Sequence, residues 1–379
     1  MTMLNNTSVD VATVQNIAVA NDSLHSNDTI HYTRPATIFA AVAASIFTVV
    51  GVAGNLITVV ALLRCQKLRV HATTAFVISL AISDLLFSAI NLPLTASRYI
   101  HEKWTLGDTL CRIFPFFFYG NVAASLMNMV AITINRYVLI SCHARYGRIY
   151  SRLNIFLMVA AVWLFSFGMM LPPLLGIWGR MGLDKQTFSC TVLKLDGKSP
   201  KKFFMVFGFV LPCLAIICCY SAIFYRVRQS RMNVQKHLPT VGSKTKETAI
   251  QASQRRDDLR LTKMMLTIFV SFLICFLPLM LVNVIDDDVT VPVLHVIASV
   301  LAWASAIINP FIYAFKNRQY QQAFKAIFCT PKRTSAAACR GGTSQASGQS
   351  RTSASRTFIT DMLHYNVVHD KVDFSILNC

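Results

Sequence analysis

Seven stretches of mostly apolar residues, at 36–63, 72–99, 109–141, 152–175, 201–228, 259–285 and 291–315, constrain this chain more than any other feature. Each exceeds the roughly 20 helical residues that cross about 30 Å of hydrocarbon. They leave no polar face for water, so hydropathy outweighs amphipathic periodicity. A length of 379 residues alone would suggest two or three soluble domains. The composition opposes that: 54% of residues are hydrophobic and 14% charged, against about 25% charged in soluble domains. Pro93, Pro172, Pro212, Pro278 and Pro310 fall inside the spans, where membrane helices tolerate them as kinks. The fold expected is an all-α membrane protein, a seven-transmembrane helix bundle over 36–315.

Orientation follows from sequons and charge. The first thirty residues hold no basic start followed by an apolar run, so no cleavable signal peptide is expected. Residues 1–35 carry glycosylation triplets beginning at Asn5, Asn6, Asn21 and Asn27, which have meaning only on the lumenal side. An outside amino terminus makes 64–71, 142–151, 229–258 and 316–379 cytoplasmic, and nearly all of the +19 net charge then faces the cytosol. That asymmetry accounts for the basic balance without nucleic acid, for which no reading element is present. Residues 316–329 form an amphipathic stretch with Phe315, Tyr320, Phe324 and Phe328 near helical spacing. Its Lys316, Arg318 and Lys325 suit anionic lipid heads at the inner membrane surface. Residues 330–379 read as a disordered cytoplasmic tail, rich at first in Ser, Thr, Ala and Gly.

Polar residues inside a bilayer need a partner or a role. Asp84 is the most informative, with Asn55, Asn121, Ser125 and Asn309 as polar candidates on other spans. Asn121 and Ser125, four apart, share a helix face. The set reads either as a site for a small cation such as sodium or as a hydrogen-bonded clamp between helices. Of the cysteines, Cys111 and Cys190 fall outside, where oxidation favours a disulfide. Cys329 reads as a palmitoylation site or as a free thiol. Arg136 lies 25 residues after Cys111, about 37 Å along a helix, so it marks the inner face. It is either a snorkelling anchor or one half of a breakable pair with Asp258 before span six.

These residues together resemble the rhodopsin-like family of G-protein-coupled receptors. The marks are Gly54-Asn55, Leu80 to Asp84, Cys111 with Cys190, Asn135-Arg136-Tyr137, Trp163, Pro212 with Tyr220, Cys275-Phe276-Leu277-Pro278 and Asn309-Pro310-Phe311-Ile312-Tyr313, in order on successive spans. The run from Asn135 through Tyr146 is similar to the insect trapped-in-endoderm and moody receptors. The run from Leu281 to Asp286, with Asn317-Arg318-Gln319, is similar to the vertebrate medium-chain fatty acid receptor. The resemblance implies a plasma-membrane receptor in which Arg136, Tyr220 and Tyr313 rearrange to admit a heterotrimeric G protein, with an inhibitory subtype the expectation. It also implies arrestin and a receptor kinase acting on the tail, and a part in guided cell migration or barrier formation. Three positions depart from the family pattern. Asn135 replaces the usual acid, which removes a restraint on Arg136 and implies appreciable basal signalling. Phe276 replaces a tryptophan, and His143 a proline.

Phe118 stands where aminergic members carry an aspartate, which argues against a monoamine. Phe114, Phe117, Phe118, Tyr119, Phe204, Phe207 and Trp303 make an aromatic upper bundle. It reads as ordinary packing or as a pocket for a lipid-like ligand, with Asn283 among its polar residues and Arg98, Arg180 or Lys202 meeting an acidic head. A peptide ligand and a constitutively active receptor are the alternatives. A transporter or channel would need several intramembrane charges or repeats; there is one buried carboxylate. No His-Glu-x-x-His or Gly-x-Ser-x-Gly catalytic set occurs, so no enzyme and no cofactor beyond sodium are expected.

Overall fold

The computed structural model describes residues 32–69, 71–185, 187–236, 246–286 and 289–328. The sequons at Asn5, Asn6, Asn21 and Asn27, the tail and Cys329 lie outside these residues. Seven helices long and apolar enough to cross a membrane follow in order: α1 Arg34–Arg64, α2 Ala72–His101, α3 Asp108–Ser141, α4 Arg152–Leu174, α5 Lys201–Ser230, α6 with its apolar part over Arg256–Ile285, and α7 Pro292–Lys316. A short helix, α8 Arg318–Phe328, comes after them.

Burial separates the helices into centre and rim. Within the most apolar stretch of each, 61% of α2 and 56% of α3 and α7 is buried, against 17% of α4 and α5. The rim presents side chains such as Phe156 and Leu164, 69% and 74% exposed. Such surface would be a liability in water and is the solvated face in lipid. Close approach has local causes. A Cβ on Gly120 would stand 2.6 Å from the Phe167 ring, so only glycine lets α3 and α4 meet there.

Two prolines have a visible backbone consequence. Proline lacks an N–H and its ring clashes with the carbonyl four residues earlier. The helix opens into a wide π turn at Phe87–Asn91, just before Pro93, and again at Val206–Val210, just before Pro212. Both turns contain the residue that the ring would strike. Pro115, inside α3, adds to the sequence-predicted set.

Four features differ from the sequence reading. Helix α6 begins at Lys246 rather than near 259, and α5 continues to Lys236. Hydropathy finds where the apolar stretch ends, whereas a polar run of good helix formers continues the helix beyond it. The connection after α3 forms a helix at His143–Ile149. The loop after α4 forms an antiparallel hairpin, β1 Arg180–Asp184 with β2 Ser189–Leu193, whose Leu183 pairs with Cys190. Lys316 closes α7, and the extended backbone of Asn317 separates it from α8. Phe315 therefore does not join the inward face of α8 and is 78% exposed. Asn317 accepts the Gln319 amide at 2.8 Å, capping α8. Buried Tyr320 stacks on Tyr313 at 5.5 Å, which fixes α8 beneath α7.

Candidate functional site

The disulfide Cys111–Cys190 joins the first turn of α3 to β2, with Cα atoms 5.2 Å apart. It holds the hairpin over that end of the bundle, where Tyr119 and Thr191 hydroxyls also meet at 2.8 Å. Below it, Phe118 packs on Phe114, Phe87 and Tyr119 with centroids 5.2–5.4 Å apart. Trp303 is 3% exposed and lies 6.0 Å from Tyr99. Arg98 places its guanidinium 4.4 Å from the Tyr99 ring. Phe204 packs elsewhere, against Met170, Met181 and Val192, and Asn283 is exposed on α6.

At mid-membrane, Asp84 is 3% exposed. Its carboxylate accepts from Ser125 Oγ and from Asn309 Nδ2, both at 2.8 Å. Three helices thus converge on one charge. Asn55 bonds instead to the Ala306 carbonyl at 2.9 Å, one turn above Asn309. Both amide atoms of buried Asn121 lack a partner. Asn121 nevertheless lines, with Asp84, Ser125 and Phe276, a small cavity under Phe87. Phe276 stacks on Phe272 at 4.4 Å, and Pro278 follows two residues later inside α6.

At the opposite end of the bundle from the disulfide, the Arg136 side chain is 3% exposed. It donates to the Thr73 hydroxyl of α2. Thr73 donates in turn to Asn135 Oδ1 at 2.6 Å, and Asn135 Nδ2 donates to the Tyr146 hydroxyl at 3.1 Å. Tyr146 sits in the inner-loop helix and its ring lies 4.9 Å from that of Tyr150. On its other side Arg136 approaches Asp258 of α6 at 3.7 Å, a carboxylate with a half-exposed side chain. Tyr220 and Tyr313 are buried nearby, and the Tyr313 hydroxyl has no partner. Tyr137, next to Arg136, is half-buried against the core, and Pro310 is buried in α7. Burial, and then the Arg136 charge, push the pKa of His71, just before α2, below its ordinary value. The chain through Thr73 and Tyr146 was not anticipated from sequence, because hydropathy and motif spacing do not reveal which hydroxyl faces an arginine.

The chain is similar to known proteins in sequence and in fold. A sequence model of the family described as "7 transmembrane receptor (rhodopsin family)" matches residues 54–313. The chain is 53% identical over 313 residues to protein trapped in endoderm-1 of Drosophila melanogaster, covering 79% of this chain and 80% of that one. It is 40% identical over 359 residues to the G-protein coupled receptor moody of the same fly, covering 81% of this chain and 53%, about half, of moody. Melatonin receptor type 1B-B of Danio rerio is 33% identical over 304 residues, 78% of this chain and 83% of that one. Squid rhodopsin shares the fold, with a TM-score of 0.70 at 23% identity over 82% of this chain and 93% of its own.

Proposed function

The chain belongs to the rhodopsin family of seven-transmembrane receptors, and we propose that it turns binding of an extracellular lipid-like ligand into activation of an inhibitory-type heterotrimeric G protein. The family is one of membrane receptors that couple to heterotrimeric G proteins, and the bundle crosses the membrane several times. The observation that carries the finer reading is Arg136. It is buried, charged, and held from two sides by Thr73 of α2 and Asp258 of α6. A buried guanidinium held by a half-exposed carboxylate is a contact that outward motion of α6 breaks. Ligand binding at the disulfide-capped end shifts the population toward the open inner face. Coupling is reciprocal, so bound G protein tightens ligand binding.

Supporting residues have assigned parts in this reading. The amino terminus lies outside at the plasma membrane and is glycosylated at the sequons. Asp84, Ser125 and Asn121 hold sodium in the closed state. The donor set is one carboxylate with neutral oxygens, and the orphaned Asn121 amide faces the same cavity, which suits a hard monovalent ion. Sodium would supply a positive charge beside Asp84. Ser and Thr of the tail accept phosphates from a receptor kinase and recruit arrestin, and Cys329 carries a palmitoyl chain. The likeness to trapped in endoderm-1 and moody supports a role in cell migration or barrier formation. A second reading, constitutive activity, draws on Asn135, which offers Arg136 no neighbouring charge. Nucleotide exchange on purified heterotrimers of each subtype, driven by a panel of lipids and peptides, tests the assignment. A lipid response restricted to the inhibitory type supports it; a response to peptides alone removes the lipid part.

A further inference from the structure

Asn91, Thr95 and Arg98 follow one another along α2 at spacings of four and three, so they share one helix face. Asn91 and Thr95 are 0% and 1% exposed. Neither amide atom of Asn91, nor Thr95 Oγ1, nor Arg98 Nε has a hydrogen-bond partner. Other hydroxyls in the spans behave differently. Thr48, Thr58, Ser88 and Thr133 each donate to the carbonyl four residues before, the usual way for a membrane helix to satisfy them. Thr95 does not. Unpaired buried polar groups are rare and costly, so a row of them on one face calls for polar partners.

The row carries a positive charge at its outer end. Among the described residues no carboxylate lies within 4 Å of Arg98, whereas nearby Glu102 is taken by Arg34 at 3.3 Å. Arg98 Nη2 donates to Tyr99 OH at 3.1 Å, which leaves most of its five donors open. Its charge also reaches Tyr32 and Tyr119, as does that of Asp184 on β1. Around it stand apolar walls. Tyr99 contacts Phe188 and Trp303 at 5.9 and 6.0 Å, and Tyr32 meets Phe188 at 4.9 Å. Toward mid-membrane, Phe87 and Phe118 meet at 5.2 Å.

We infer that the Asn91–Thr95–Arg98 row is a head-group site for an anionic amphiphile. The guanidinium holds a carboxylate or phosphate together with the Thr95 hydroxyl, Asn91 bonds a further ligand oxygen, and the apolar chain lies against the aromatic walls. The inference rests on the ligand reaching the receptor from its outer face, as proposed above. It selects Arg98 over Arg180 and Lys202, because those two are not joined by a buried row of unpaired groups.

The test measures thermal unfolding of the purified full-length receptor in lipid discs, with no G protein present. The probes are oleate, oleoyl lysophosphatidate and oleyl alcohol, on wild type, Arg98→Gln, Arg98→Lys, Thr95→Val and Asn91→Leu. An anionic probe is expected to raise the wild-type midpoint while the alcohol leaves it unchanged. Which of oleate and lysophosphatidate acts identifies carboxylate or phosphate. Arg98→Gln should weaken binding about tenfold or more, as loss of a charge-assisted bond requires, Thr95→Val and Asn91→Leu less, and Arg98→Lys should retain part of it. Equal shifts from acid and alcohol, undiminished binding to Arg98→Gln, or no shift with either anion would overturn the inference. The last result would mean that the row holds water only. Binding is read here without signalling, so failure leaves the exchange assay of the receptor reading untouched.

Discussion

Thr73 donates its hydroxyl to Asn135 at 2.6 Å while accepting from Arg136, so a single oxygen links α2 to both polar residues at the inner end of α3. The relationship explains how the bundle restrains Arg136 where a neighbouring carboxylate is lacking. Two contacts share the restraint, one neutral and buried, the other the half-exposed Asp258.

Replacing Thr73 by Val leaves Arg136 and Asn135 each short of a partner in a buried site. A hydrogen bond to a charged group is worth about 1.5–3 kcal/mol, and 1.4 kcal/mol is tenfold. Ligand-free nucleotide exchange should therefore rise by about tenfold in Thr73→Val, with a lower unfolding midpoint. Unchanged basal exchange would remove Thr73 from the switch.

Asn135→Asp puts a carboxylate where Thr73 already donates and beside the Arg136 charge. Basal exchange should fall and agonist-driven exchange should persist. Tyr146→Phe removes the acceptor for Asn135 Nδ2. It should have a smaller effect of the opposite sign, read in the same assay. Basal exchange identical in wild type and Asn135→Asp would contradict the idea that the missing charge matters.

Much of this was legible in the sequence, for a physical reason. Hydropathy reports the free energy of placing a segment in lipid, so it located the seven spans. The Cys111–Cys190 bond was legible because Cys111 opens span three and Cys190 lies in the loop after span four, at the same end of the bundle. Asp84 was legible as a lone intramembrane acid, yet which polar groups reach it was not. Ser125 and Asn309 do, while Asn55 bonds to the backbone of α7. Those outcomes depend on helix rotation, which a flat apolar pattern does not fix. The row at Asn91, Thr95 and Arg98 carried a readable signal in its spacing, since three polar residues on one face of a span need an explanation.

The Asp84 site makes a separate claim. If sodium sits there, sodium chloride should stabilise the receptor more than potassium chloride at equal ionic strength, and Asp84→Asn should abolish the difference. An equal response in Asp84→Asn would place any sodium effect elsewhere.

Removing the disulfide frees a loop of 79 residues, which corresponds to about 4.5 kcal/mol of lost stabilisation. Cys111→Ser and Cys190→Ser should each lower surface expression, and the double variant should be no worse than either. An additive loss would mean that the two cysteines act separately.

The α6–α7 turn carries a pH-dependent element. Asp286 accepts the Thr290 hydroxyl and amide at 2.7 Å and the Val291 amide at 3.0 Å, and contacts His295 at 3.1 Å. These bonds, the Thr290 hydroxyl first, hold its carboxyl well below the ordinary carboxylate range. Because the folded value is depressed, the stabilisation is complete above about pH 4, the unfolded value, and is lost as pH falls. Asp286→Asn should lower the unfolding midpoint near pH 7 and converge with wild type in acid. Parallel profiles at all pH values would contradict this.

The central claim is that Arg136 is the inner-face switch of a signalling receptor. The most direct measurement is nucleotide exchange on a purified heterotrimeric G protein with wild type and Arg136→Ala, at matched amounts of folded receptor. Exchange above the receptor-free rate for wild type, and near that rate for Arg136→Ala, is the expected result. Full exchange with Arg136→Ala, or none with wild type on any subtype with or without the ligand panel, would contradict it.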